Sequence, residues 1–188
     1  MMASSTPAYT PPQKGTDEAR AQGLKLGREV GAAYRRTVEY FIQNVAVSGQ
    51  KKRAGAFEVG LAVEAAEPLY VPEGGQLRLA QPAVGANAHL EVVVMDADDG
   101  RFIPDLTVVV TVRSAQGDEV GTFRLPFMWH PTMFHYGASI HVPSDGEYAI
   151  TVGIDTPTFP RHDTVNGKRY TEPVLAEFTG VRITTGRK

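Results

Sequence analysis

The sequence predicts an all-β fold, an antiparallel β-sandwich carrying one added N-terminal α-helix. Two observations carry this. From Phe57 onward, short runs rich in Val, Ile, Thr, Phe and Tyr alternate with Gly/Asp turn clusters, the pattern of antiparallel strands in a sandwich. Ahead of them, apolar residues recur at three- and four-residue steps, which is the period of an amphipathic helix.

Residues 1–15 hold Ser, Thr, Pro and Gly with few apolar groups and are expected as a disordered or extended arm. Thr16 followed by Asp17-Glu18 reads as an N-cap with acidic groups at the positive end of the dipole. A helix of about eight turns is expected over residues 16–46. Its apolar stripe is Leu26, Val30, Ala33, Tyr34, Val38, Phe41, Ile42 and Val45. That stripe is too large to leave in water, so it is expected to dock on the sheet exterior, on a partner subunit or on another protein. Gly23, Gly27 and Gly31 recur every fourth residue and open the helix to another backbone. Ser48-Gly49 and Lys51-Lys52-Arg53 are read as its end, a linker and a solvated turn.

Strands are expected over 57–65, 76–80, 88–96, 106–114, 119–126, 136–142, 147–154 and 174–183. Turn clusters such as Pro72-Glu73-Gly74-Gly75, Asp98-Asp99-Gly100 and Ser144-Asp145-Gly146 punctuate them. The chain thus divides into an arm (1–15), a helix with linker (16–53) and a β-sandwich domain (54–188).

The formal charge of −2 and the lack of any longer Lys/Arg run give no pull toward nucleic acid. No stretch reaches the roughly 18 apolar residues of a membrane span, so direct membrane insertion is not expected. The start, Met1-Met2-Ala3-Ser4-Ser5-Thr6-Pro7, has neither the charge nor the apolar core of a secretion leader. A cytoplasmic location, or a leader already removed, is the expectation from these residues.

All five histidines fall between positions 89 and 162, together with Glu91, Met128 and Met133. Imidazole and thioether suit copper, while imidazole with carboxylate suits copper or iron. The chain has no cysteine, which excludes thiolate zinc, iron–sulfur and blue-copper sites. Along a strand over 88–96 side chains alternate, so His89 and Glu91 project from one face, with Val93 and Met95, and Leu90, Val92 and Val94 point to the core. Residues 127–137 are expected as a loop across the sandwich end, and 158–164 as a second loop. Donors from one strand and two loops are a common way to build a site at a sheet end.

These residues resemble the periplasmic iron/copper-binding proteins that accompany bacterial high-affinity ferrous-iron permeases, the iron-transport lipoprotein family. The resemblance rests on His89-Leu90-Glu91, Phe102-Ile103-Pro104-Asp105-Leu106-Thr107, Gly121-Thr122-Phe123, Met128 seven residues before His135-Tyr136-Gly137-Ala138, and Arg161-His162. It implies a homodimeric, immunoglobulin-like sandwich with a copper site near the dimer interface, which makes a contact within the homodimer the favoured cover for the helix stripe. The ligands it implies are His89, Glu91, Met128, His135 and His162. It also implies a periplasmic or cell-envelope location and delivery of iron to a membrane permease, with copper as the bound ion and iron as a second metal. The chain departs from the family in lacking a Met within Ala66-Glu67-Pro68-Leu69-Tyr70, in keeping only His162 in the late loop, and in its N-terminal helix.

His130, Met133 and His141 have no counterpart in that pattern and are not assigned as ligands; His141 is expected to face solvent. No nucleophile elbow or phosphate-binding glycine loop is present, so no enzymatic role is expected. The competing readings are a metal-free sandwich that binds a protein partner and a non-haem metal redox enzyme. Proton competition at the histidines is expected to weaken metal binding near pH ~6.5.

Overall fold

The computed structural model describes residues 11–186. It contains one helix, α1 (Ala21–Asn44), and strands β1 (Ser48–Ala54), β2 (Phe57–Glu64), β3 (Leu69–Glu73), β4 (Gln76–Ala80), β5 (Ala88–Asp96), β6 (Val108–Ser114), β7 (Glu119–Leu125), β8 (Phe127–Trp129), β9 (Phe134–Ile140), β10 (Gly146–Ile154) and β11 (Val174–Ile183). A five-stranded sheet, β1-β2-β5-β9-β8, faces a four-stranded sheet, β11-β10-β6-β7, and β3-β4 form a separate hairpin. All strand pairs are antiparallel. The expected sandwich is present.

Alternation places every second residue of each strand between the sheets. Phe57, Val59, Leu61 and Val63 of β2 and Leu90, Val92 and Val94 of β5 meet Val108, Val110 and Val112 of β6 and Ile150, Val152 and Ile154 of β10. At about 1.5–3 kcal/mol per buried large apolar side chain, this layer dominates the stability of the fold. Tyr136 spans it: its hydroxyl donates to the Ile103 carbonyl at 2.9 Å and accepts the Leu106 N–H at 3.1 Å. Burial pushes that phenol up to about 12, so it stays protonated.

Several expectations change. The stretch read as a linker and solvated turn, Lys51-Lys52-Arg53, is in strand β1, which pairs along its whole length with β2. Gln50 and Lys52 of β1 also donate to the Thr179 and Glu177 carbonyls of β11, closing the sandwich on that side. Residues 127–137 are not a loop but the β8–β9 hairpin at the opposite edge of the same sheet. Thr16 does not cap the helix. It accepts the Ala19 N–H at 2.9 Å in a preceding turn and donates to Asp163 at 2.6 Å, so α1 begins only at Ala21. Of the arm, residues 1–10 lie outside the described residues; Gln13 and Lys14 bond to Asp98 and Asn166.

The helix lies on the outer face of the five-stranded sheet of its own chain, so Val38 and Phe41 are covered there and not by a partner subunit. Val38 and Phe41 pack with Ala62, Val93, Met95 and Met133. Gly31 is where the two backbones meet, since a Cβ there would come within 1.7 Å of the Asp99 carbonyl oxygen. Arg35 fixes the contact by bonding Glu58 and the Asp96 and Ala97 carbonyls. The N-terminal half of the stripe stays wet, Leu26 at 51% and Val30 at 61% exposure.

Candidate metal centre

Strand alternation and sheet register build this site. Because Leu90, Val92 and Val94 fill the core, His89 and Glu91 face outward, toward the side that carries α1. Glu91 pairs with Gly137 and His89 with Ser139 of β9, so His135 lies one strand over on the same face. Met128 of β8 is directly opposite His135, and residues so paired hold their Cβ atoms about 4.5–5.5 Å apart on one face.

His89, Glu91 and His135 converge, each offering a ligand atom within 4.8 Å of the other two. The Glu91 Oε1 atom is 3.9 Å from His89 Nε2 and 3.5 Å from His135 Nε2. All three are buried, at 1%, 2% and 3% exposure, where solvated surface histidines would not be. His89 turns its Nδ1 to the Ser139 hydroxyl at 3.1 Å, which aims Nε2 at Glu91. Ser139 was not among the residues singled out from sequence; only the β5–β9 register reveals it.

The residues fit a metal ion. Neither ring nitrogen of His135 has a hydrogen-bond partner although both are buried, and an unsatisfied buried polar group costs about 1–3 kcal/mol. A metal would satisfy one of them. Gly137 keeps the cleft between the imidazoles open, since a Cβ there would sit 3.0 Å from His89 Nε2 and 3.1 Å from His135 Cδ2. This gives the His-Tyr-Gly motif a physical reading: His135 faces the cluster, Tyr136 the core, and Gly137 leaves room. Burial, then repulsion from His89 and His130, lowers the His135 pKa to about 4. Proton competition at His135 therefore begins near pH 4, not near the ~6.5 of an ordinary imidazole.

His162 does not join this cluster in the single chain. It is exposed and lines a surface cleft with Gln13, Glu18, Arg161 and Asp163. Its loop is tied to the far end of β5, where Arg169 bonds both carboxylate oxygens of Asp96 and Tyr170 donates to the same group. Glu91 and Asp96 are five residues apart, about 17 Å along a strand at the usual rise. Met133 is buried in the helix contact and serves as core. His141 is exposed and bonds the Gly85 carbonyl.

The family described as Fe2+ transport protein matches residues 47–180, a span that leaves α1 outside it. No curated protein matches the chain. Among solved structures, FetP of uropathogenic E. coli strain F11 is similar, with 24% identity, a TM-score of 0.59, and coverage of 73% of this chain and 94% of that one. Copper-reconstituted P19 from Campylobacter jejuni is similar too, with 22% identity, a TM-score of 0.60, and coverage of 74% and 96%. At this identity the two structures bear on the fold, which is the sandwich described above. The family match spans well over half of the chain: the protein belongs to the Fe2+ transport protein family.

Proposed function

We propose that the protein binds copper, with iron as a second metal, at His89, Glu91 and His135 with Met128 as a thioether ligand. The single observation that carries this is His135, a buried imidazole without a hydrogen-bond partner beside a second imidazole and a carboxylate. Two imidazoles bind both copper oxidation states, the thioether favours Cu(I), and the carboxylate favours Cu(II) or iron. The copper bound to P19 and to a FetP variant in their crystals supports the same reading. Without thiolate, the copper protein is at most weakly coloured. Calorimetry with Cu(II) on wild type and His135→Ala tests it; equal affinity in both removes the assignment.

The role we assign is metal acquisition without turnover, in the periplasm or cell envelope, with iron passed to a membrane permease. Family membership supports this, and no helix among the described residues is long and apolar enough to cross a membrane. Enzyme-like oxidase rates in the copper-loaded protein would overturn it.

We assign a homodimer as the working state. The β3–β4 hairpin pairs Tyr70 with Leu79 and Pro72 with Leu77, so one of its faces is wholly apolar, and Tyr70 and Leu77 are 68% and 70% exposed. A lone two-stranded hairpin is marginal in water and gains from packing on a second copy. His162, in the loop tied through Arg169 to Asp96 at the far end of β5, reaches the centre on this reading only from the partner chain. Sedimentation of Leu77→Asp decides: a monomer is expected, and an intact dimer rules the hairpin out.

A further inference from the structure

We propose that His130 is the surface acceptor through which copper is loaded into the buried centre. This rests on the metal reading of His89, Glu91 and His135 and adds a site to it. Those three side chains are almost wholly buried, so an ion needs a route to them. His130 sits in the β8–β9 turn, half-buried, and lines an open surface cavity of about 460 Å³ walled by Arg36, Thr37 and Tyr40 of α1 and by Thr132. On its inner side its ring is 6.3 Å from that of His135, which is in turn 6.3 Å from that of His89. Three imidazoles therefore form a file from the cavity to the centre.

The spacing suits hand-over. An ion about 2.0–2.1 Å from a ring nitrogen lies about 3.2 Å from that ring's centroid, so two imidazoles can share one ion up to a centroid separation of about 6.4 Å. Both steps of the file fall just within that reach. The copper passes from His130 to His135 without returning to water, and its charge and oxidation state do not change.

The His130 ring is held for this task. Phe41 of α1 packs edge-on against it at 5.7 Å. Reciprocal backbone hydrogen bonds between His130 and the buried Met133 close the turn. Its Nδ1 is fixed by Thr132, lying 3.0 Å from the hydroxyl and accepting the backbone N–H at 3.3 Å, and these contacts orient the ring. Phe41 lies outside the residues matched by the family, so the helix supplies one wall of the route.

Stopped-flow transfer from a Cu(I)–bicinchoninate complex to the full chain tests the proposal. His130→Ala and His130→Gln should slow uptake on the order of tenfold, because a fixed ligand raises the local ion concentration. Equilibrium affinity should stay within about threefold of wild type, since the resident ligands are untouched. Ala33→Trp, which places a bulky side chain on the cavity wall, should slow uptake while leaving His130 in place, and His141→Ala should leave the rate unchanged. An unchanged rate in both His130 variants overturns the proposal. So does a large loss of affinity, which would make His130 a resident ligand. Wild type that takes up no copper fails the underlying metal reading instead.

Discussion

Acidifying the metal-free protein should cost it stability through His135 in particular. In the folded chain this imidazole has a pKa of about 4, set by burial and then by repulsion from His89 and His130. In the unfolded chain it titrates near pH ~6.5. Between those values the unfolded state holds a proton that the folded state does not, so stability falls as pH drops through the window. Below about pH 4 both states are protonated and the loss stops growing. At roughly 1.4 kcal/mol per pH unit the interval corresponds to about 3 kcal/mol. The assay is urea unfolding of wild type and His135→Gln at steps between about pH 7 and pH 4. Carboxylate titrations are common to both proteins, and the difference isolates the imidazole. Wild type should lose about 3 kcal/mol more than the variant across the window. Parallel stability curves would mean that His135 is not held neutral by the fold.

Two further outcomes follow from the packing. Gly137→Ala puts a methyl group 3.0 Å from His89 Nε2 and should weaken Cu(II) binding by about 10–100-fold, the scale of other ligand-misaligning changes, in calorimetry. Phe41→Ala removes the 3%-exposed anchor of α1 and should cost about 3 kcal/mol in chemical denaturation; a loss below about 1 kcal/mol would mean the helix is not held by this contact.

Much of the sandwich was legible because burial writes a period into the sequence. The strand over 76–80, the strand over 88–96 and the strand over 174–183 stand at their expected bounds. Strand β1 was hidden because Ser48 to Arg53 carry no large apolar residue; an edge strand with exposed side chains has no alternation to show. Strand β8 spans only three residues, too few to carry a period. In the centre, the pairing of His89 with Glu91 was readable from alternation alone. That His135 meets them from a neighbouring strand, and not from a loop, depends on the β5–β9 register, which no local pattern encodes. The position of His162 depends on the Asp96–Arg169 ion pair, 73 residues apart in sequence. His130 could be flagged as metal-binding chemistry, but its place beside His135 is set by the hairpin turn and by Phe41.

Copper K-edge X-ray absorption on the Cu(I)-loaded protein tests the centre most directly. One ion per chain is expected, with imidazole scattering from His89 and His135 and a sulfur shell that disappears in Met128→Leu. An oxygen-only shell, or a spectrum unchanged in the His89→Ala/His135→Ala double variant, would contradict it.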